Sequence, residues 1–166
     1  MSLLDYHFYE QLRLAVRHDY FWNNYLNECA PKVGLHLAVF VEPYLKLVLL
    51  GQKTVESRFS KSRIAPYNSA KEGDIVLLKK SSGPILGICQ ITKVWFYELD
   101  PNSWHTIRKE YTESLCAQDP GFWRQRKAAS YATIMQFHNV HSFSPIKLQK
   151  RDRRGWVLLK PHFEEI

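Results

Sequence analysis

Apolar side chains recur at helical spacing over the first 30 residues of the chain. Between Leu3 and Ala30 they lie three or four positions apart, which predicts one long helix or two short ones ending before Pro31. We therefore interpret residues 1–34 as an N-terminal helical extension. The residues that carry this spacing are Leu4, Phe8, Leu12, Ala15, Val16, Phe21, Trp22, Tyr25 and Leu26.

The pattern then changes to a strand, a helix and a second strand. Residues 35–41 are typical of a strand and residues 42–50 of a helix, with Pro43 in its first turn and Gly51 in the left-handed position that ends it. From Thr54 the side chains alternate, so Thr54, Glu56 and Arg58 are expected on one face of a strand. The opposite face would carry Val55, Ser57 and Phe59.

The downstream pattern favours a mixed sheet. A loop over residues 61–72 precedes strands at 74–80 and 85–97, which a tight turn connects. Asn102 or Ser103 is a candidate cap for a helix through Cys116, and Asp119 for one through Ala129, before strands at 131–143 and 155–160. Because a tight turn joins neighbouring strands, we exclude a doubly wound parallel sheet and expect an α+β fold, a short mixed barrel with flanking helices.

The composition indicates a globular protein with polyanionic partners. The chain has 166 residues, of which 45% are hydrophobic, enough for one domain with an appendage. Its net charge of +7 and pI near 9.3 favour a negatively charged partner. Charge alone does not separate RNA from DNA, nucleotides or a membrane surface.

Cysteine usage and hydropathy bear on the compartment. Cys29, Cys89 and Cys116 are widely spaced and odd in number, which favours a reducing environment. The longest apolar stretch is too short to cross a bilayer, and the N-terminus lacks the apolar core of a signal peptide. We therefore expect a cytoplasmic protein that does not bind membranes.

We predict no metal and no cofactor. His138 and His141 are three positions apart on a predicted strand, so they would face opposite sides, with no acidic or cysteine partner nearby. The chain also lacks a glycine-rich phosphate loop.

Three charged residues of different chemistry, Lys53, Glu56 and Arg58, follow closely on Gly51. Lys53 alone would complement the end of a helix dipole, and Glu56 with Arg58 would form an exposed ion pair worth about 0–1 kcal/mol. A ligand site is the alternative. Two segments resemble the signature of the ASCH domain, in which a Pro-aromatic pair precedes Gly-x-Lys-x-x-Glu-x-Arg: Val41-Glu42-Pro43-Tyr44 and Gly51-Gln52-Lys53-Thr54-Val55-Glu56-Ser57-Arg58.

The resemblance covers about residues 35–159 and implies a PUA-like β-barrel domain over residues 35–166 that handles RNA or modified bases. Within it, a carboxylate can accept from a base amine, and Arg or Lys can contact phosphate. The candidate ligand-binding residues are Tyr44, Lys53, Glu56, Arg58, Lys61 and Arg63. The aromatic residues near these charges, each a stacking platform or a core residue, are Tyr44, Phe59, Tyr67 and Trp95.

Two further groups of basic residues lie downstream. The first lies between Lys147 and Arg154, and we weigh a phosphate-contacting surface and a solvated hairpin equally for it. Besides Lys147, it contains the candidate nucleic-acid-binding residues Lys150, Arg151, Arg153 and Arg154. The second consists of Arg124, Arg126 and Lys127, for which we expect a solvated helix face.

The sequence leaves three functions open. The preferred one is an RNA- or nucleobase-binding module, in which Lys53 and Glu56 are site residues rather than core residues. The second is a hydrolase, an amidohydrolase on modified cytidine or a ribonuclease, that uses Lys53 and Glu56 as catalytic residues. The amidohydrolase branch of the resembled family carries a hydroxyl residue where this chain has Glu56, although Thr54 and Ser57 lie close by. The third is a protein-interaction module whose N-terminal helices bind a partner.

Overall fold

The computed structural model describes residues 5–163. The pattern that begins at Leu3 and Leu4, and the last residues of the predicted 35–166 domain, extend outside this range. The helices are α1 (Tyr6–Val16), α2 (Tyr20–Glu28), α3 (Tyr44–Leu49), α4 (Pro101–Tyr111) and α5 (Pro120–Arg124). The strands are β1 (Leu35–Phe40), β2 (Val55–Ser60), β3 (Ile75–Lys80), β4 (Ile85–Glu98), β5 (Tyr131–Ile146) and β6 (Trp156–Lys160).

The strands form one mixed sheet in the order β2-β5-β4-β3-β1-β6. Only β1 and β3 pair in parallel, and the other neighbours are antiparallel. Register shifts along the long pair β4 and β5 bend these strands, since an extra residue on one strand increases local twist. The sheet therefore curls into a half-barrel with flanking helices, which confirms the predicted α+β, PUA-like class.

A glycine permits the closest approach in this curl. A Cβ atom on Gly87 would lie 2.7 Å from Cδ2 of Leu49 and 2.9 Å from the carbonyl oxygen of His141. Both distances are shorter than van der Waals contact, so α3 packs against β4 at this point only because the residue there has no side chain.

The N-terminal segment forms two helices, one of the two arrangements that the sequence left open. Asp5 caps α1 by accepting from the backbone N–H of Phe8, and Asp19 caps α2 in the same way through Trp22. Trp22 Nε1 donates to the carbonyl of Asn139 at 2.6 Å, so α2 is tied to β5. That these helices bind a protein partner stays a prediction.

The described residues form three apolar clusters. One lies between α1, α2 and one face of the sheet, a second lies between the sheet and α3, and a third packs α4 and α5 on β2 and β5. Alternation along β1 explains the division, since Leu35 and Leu37 belong to the first cluster and Ala38 and Phe40 to the second.

The main differences from the sequence predictions concern helix ends. Helix α3 begins at Tyr44 rather than residue 42, with Pro43 at its N-cap. Asp100, not Asn102 or Ser103, caps α4, because its carboxylate accepts from the backbone of Ser103 while the Ser103 hydroxyl accepts in return. That helix ends at Tyr111 and α5 ends at Arg124, both earlier than predicted, and turns follow them. Within residues 5–163, no helix has the length and apolar character needed to cross a bilayer.

Candidate functional site

The charged motif lies where α3 turns into the edge strand β2. Gly51 adopts φ = +73°, the left-handed conformation expected at the end of a helix, and β2 begins four residues later at Val55. Glu56 and Arg58 project from the same face of β2, with Arg58 Nη2 at 3.7 Å from Glu56 Oε2. Lys53 Nζ lies 3.8 Å from Glu56 Oε1. The carboxylate therefore sits between two cations.

Lys53 is buried, with 2% of its side chain exposed. Its ammonium donates to the carbonyl oxygens of Val55 and Leu115, each at 2.9 Å, and so joins the start of β2 to the segment after α4. Burial lowers the pKa of Lys53 below its ordinary value of 10.5, and this effect exceeds the opposing effect of Glu56. The prediction that Lys53 lies outside the core is therefore wrong, because the side chain is buried.

Glu56 keeps one oxygen available. Oε1 accepts from the backbone N–H of Ser57 at 2.7 Å, whereas the 3.7 Å between Oε2 and Arg58 is too long for a hydrogen bond. Among the residues that the structure describes, no side chain or backbone group donates to Oε2. The residue is 5% exposed and lines a cleft, so it presents a nearly buried acceptor to whatever enters there.

Arg58 connects opposite parts of the curled sheet. Its Nη1 donates to the carbonyl of Gly155 at 2.9 Å, and its Nη2 donates to the carbonyl of Val39 at 3.0 Å. The guanidinium also lies 5.0 Å from the ring of Phe40 and 5.2 Å from that of Trp156. These contacts join the edge strand β2 to β1 and to the start of the other edge strand, β6.

The cleft beside these residues has a volume of about 430 Å³. Tyr44, Lys53, Glu56 and Arg58 line it, so the structure brings together four of the six predicted ligand-binding residues. The other lining residues are Val39, Phe40, Val41, Ser57, Phe59, Phe122, Gln125 and Arg126.

Arg126 is the cleft residue that the sequence assigned to a different role. Because α5 ends at Arg124, the chain turns and the Arg126 side chain folds back on the helix. Its Nη1 donates to the carbonyl of Phe122 at 2.8 Å, and its guanidinium carbon lies 3.6 Å from the Phe122 ring centroid. Arg124 and Lys127 are exposed, as predicted, but Arg126 is half-buried in the cleft wall, so the solvated face proposed for it is wrong.

The structure does not bring Lys61 and Arg63 to the cleft. Lys61 is exposed on the loop after β2, and Arg63 pairs with Glu98 at 2.9 Å above the ring of Tyr131. Of the aromatic candidates, Tyr44 and Phe59 line the cleft, and both also contact other rings, with Phe59 stacked on Trp104. Outside the cleft, Tyr67 contacts Phe96 and Tyr131, and Trp95 contacts Tyr111.

The basic cluster between Lys147 and Arg154 is partly neutralised by a carboxylate within it. Lys150 Nζ lies 2.7 Å from Asp152 Oδ1, and Arg154 Nη2 lies 2.8 Å from Asp152 Oδ2. These partners hold the pKa of Asp152 well below its usual range, with the hydrogen bond from Arg154 as the largest cause. Lys147, Arg151 and Arg153 are exposed and have no charged partner within the described residues, and Arg154 is 65% exposed beside its partner.

The histidines of the predicted strand have separate partners. His138 Nδ1 lies 2.7 Å from the hydroxyl of Thr92, and His141 Nδ1 lies 3.3 Å from a carboxylate oxygen of Asp19. Within residues 5–163, no three His, Cys, Asp or Glu side chains are grouped so that they could hold a metal ion.

The burial of Lys53 makes stability dependent on pH. We expect Lys53→Met to lower the free energy of unfolding at pH 7 by about 1–3 kcal/mol, because the carbonyls of Val55 and Leu115 lose their donor. Since the folded-state pKa is lowered, the unfolded chain binds more protons just below pH 10.5, and wild-type stability rises with pH there. The advantage of the wild type over Lys53→Met should therefore grow toward pH 10.5.

Urea unfolding followed by tryptophan fluorescence at several pH values measures this difference. Lys46→Met, at an exposed lysine of α3, is the matched control and should show no such growth. A constant difference between the wild type and Lys53→Met across the alkaline range would contradict the pKa shift.

Comparison with known proteins places this fold and motif in a family. A model of the ASCH domain matches residues 39–150, about two thirds of the chain. No curated protein sequence matches.

Among solved structures, ASCH from Zymomonas mobilis aligns with a TM-score of 0.61 at 13% identity, over 76% of this chain and 87% of that one. A serine-to-alanine mutant of the Zymomonas protein aligns with a TM-score of 0.63 at 14% identity, over 78% and 91% of the two chains. A tyrosine-to-phenylalanine mutant aligns at 0.61 and 13%, over 76% and 90%. At these identities the structures establish the shared fold. Because the family model spans more than half of the sequence, this protein belongs to the ASCH domain family.

Proposed function

We propose that the protein binds RNA by accepting a nucleobase in the cleft beside Lys53, Glu56 and Arg58. The observation that carries the proposal is the carboxylate of Glu56, a residue that is 5% exposed and lines the cleft, and whose Oε2 accepts no hydrogen bond from the described residues. A base amine that enters the cleft could donate to this oxygen.

The cations around Glu56 divide into two kinds. Lys53 and Arg58 each donate two hydrogen bonds to backbone carbonyls, so they fix the geometry of the carboxylate and balance its charge. Among the described residues Arg126 donates one hydrogen bond, to the carbonyl of Phe122, so its other N–H groups could contact a ligand. Arg126 is therefore our candidate for the phosphate contact.

The walls of the cleft suit a base. Aromatic side chains from four elements line it, and its volume of about 430 Å³ lies within the range of about 300–1,000 Å³ that is usual for small-molecule sites. Lys53 contacts the ring of Tyr44, and Arg126 covers that of Phe122. A base in the cleft would exchange water for these apolar and cationic surfaces.

Replacing the carboxylate tests the proposal. Glu56→Gln keeps the shape and the acceptor for the Ser57 N–H but removes the charge and adds an amide donor. We expect it to weaken binding of cytidine monophosphate at least tenfold, within the roughly 1–3 kcal/mol of a specific amine contact. Isothermal titration calorimetry measures the change.

The matched control is Glu98→Gln, which neutralises a carboxylate that is 69% exposed and paired with Arg63 outside the cleft. Cytidine monophosphate affinity should be the same in this variant as in the wild type. An unchanged affinity in Glu56→Gln would show that the cleft does not recognise an amine through Glu56.

The dependence of RNA affinity on salt tests the basic cluster between Lys147 and Arg154. Because Arg151 and Arg153 are exposed and have no charged partner within the described residues, we expect the double variant with glutamine at both positions to make the log–log slope shallower. The change should be about 0.7 per lost contact with single-stranded RNA. Fluorescence anisotropy over a salt series measures it, with glutamine at Arg13 of α1 and at its C-cap Arg17 as a charge-matched control. A slope equal to that of the wild type would remove the cluster from the interface.

One observation favours a hydrolase as the second candidate. A lysine with a lowered pKa is the kind of group that acts as a general base, and burial lowers that of Lys53 in spite of Glu56. The carboxylate of Glu56 raises the pKa of Lys53, but its effect is smaller than that of burial. What the chain lacks at the corresponding position is a hydroxyl nucleophile.

We expect the purified protein to release no acetate from N4-acetylcytidine, because Glu56 stands in the place of the nucleophile. Of the two neighbouring hydroxyl residues, Thr54 is exposed and does not line the cleft, and Ser57 lines it one position beyond that of the nucleophile. A coupled acetate assay with Glu56→Thr in parallel separates the candidates. Turnover by the wild type would replace the binding proposal with the hydrolase.

A further inference from the structure

A second cavity, the flanking cavity, lies on the other side of Arg58 from the cleft. Its volume is about 520 Å³, and it shares Arg58 and Phe59 with the cleft as a common wall. The other residues that line it are Ser60, Ile64, Ala65, Pro66, Thr133, Arg154, Gly155 and Trp156. The two cavities therefore adjoin along the line where Arg58 joins β2 to the start of β6.

The walls of the flanking cavity combine apolar surface with an unsatisfied hydroxyl. Phe59, Ile64 and Trp156 provide apolar contact, and Ile64 is 57% exposed on the loop after β2. Thr133, the cross-strand partner of Arg58, is 1% exposed, and its hydroxyl has no hydrogen-bond partner among residues 5–163. Buried hydroxyls are nearly always satisfied, so this one indicates a place for a polar group that is not part of the chain.

The electrostatics of the flanking cavity favour an anion. Arg154, which is paired with Asp152, lines it with a side chain that is 65% exposed, and Arg58 also lines it. The segment from Lys150 to Arg154 carries four cations against one carboxylate, Asp152. A ligand with an apolar flat face and a negative charge complements both properties, and a nucleotide has that chemistry.

We propose that the flanking cavity binds the nucleotide adjacent to the one in the cleft, so that the ligand is a single strand of at least two nucleotides rather than a free nucleoside. This inference rests on the proposed function. The base of the second nucleotide packs against Phe59 and Ile64, and the phosphate linking the two nucleotides passes Arg58 toward Arg154. Because Arg58 lines both cavities, the two bases would lie on either side of its guanidinium.

Affinity as a function of ligand length tests the inference. The ligands are cytidine monophosphate and the two dinucleotides that contain one cytidine and one adenosine, measured by calorimetry with the full chain. We expect the better dinucleotide to bind about 5- to 100-fold more tightly than the mononucleotide, as one additional stacked base would provide. The readout is the ratio of the two affinities.

Ile64→Asp places a negative charge on the rim of the flanking cavity and should bring this ratio close to one. Leu14→Asp is the matched control, because Leu14 is exposed to a similar extent, 58%, on α1, and this variant should keep the wild-type ratio. Arg154→Gln is a second variant, expected to lower the ratio by removing a phosphate contact while replacing a largely exposed side chain. Circular dichroism confirms that each variant is folded.

The outcomes separate this inference from the proposed function. Equal affinities of the wild type for mononucleotide and dinucleotide would overturn the proposal that the flanking cavity binds a second nucleotide. The proposed function of the cleft would stand, provided that Glu56→Gln still weakens binding of the mononucleotide. A wild type that binds neither ligand would overturn both. An equal fall of both affinities in Ile64→Asp, or the same change of ratio in Leu14→Asp, would also overturn the inference.

Discussion

The structure depends on the way in which Arg58 joins the two ends of an open sheet. Strands β2 and β6 are the edges of the half-barrel, and an uncovered edge presents unpaired backbone groups. From β2, the Arg58 guanidinium donates to the carbonyl of Val39 in β1 and to that of Gly155 immediately before β6. Phe40 and Trp156 pack close to it, so the cation is held by both hydrogen bonds and rings. Curling the sheet until these groups meet also creates the cleft and the flanking cavity.

Stability alone gives a weak account of the charges at this junction. Burying an ion pair costs desolvation energy that the attraction repays only with good geometry, yet the distances from Glu56 to Lys53 and Arg58 are 3.8 and 3.7 Å. Lys53 and Arg58 donate their hydrogen bonds to backbone carbonyls, and the Glu56 carboxylate accepts one from the backbone N–H of Ser57. A site that must present a fixed acceptor to a ligand explains this arrangement better than a site built to hold the fold together.

The sequence predicts the strands and the shared face of Glu56 and Arg58 because both depend on local periodicity. Most of the strand boundaries lie within a few residues of those in the structure, and the family resemblance is confirmed by the match over residues 39–150. The burial of Lys53 could not be predicted, since it depends on the carbonyl of Leu115, 62 residues away. The position of Arg126 in the cleft wall could not be predicted either, since it depends on α5 ending at Arg124, two residues before it. The pairing of Arg154 with Asp152 depends on the geometry of a loop.

The balance of charge in the cleft limits the chemistry of the ligand that we propose for it. Lys53, Arg58 and Arg126 line the cleft together with one carboxylate, that of Glu56, so a negatively charged ligand would complement it. The available oxygen of that carboxylate requires a hydrogen-bond donor on the same ligand, which excludes a simple inorganic anion that offers only acceptors. Aromatic side chains on several walls require a flat apolar surface between the donor and the charge. A nucleotide whose base carries an exocyclic amine meets all three conditions. Because Lys53 and Arg58 already donate hydrogen bonds to backbone carbonyls, Arg126 is the cation that we expect to contact its phosphate.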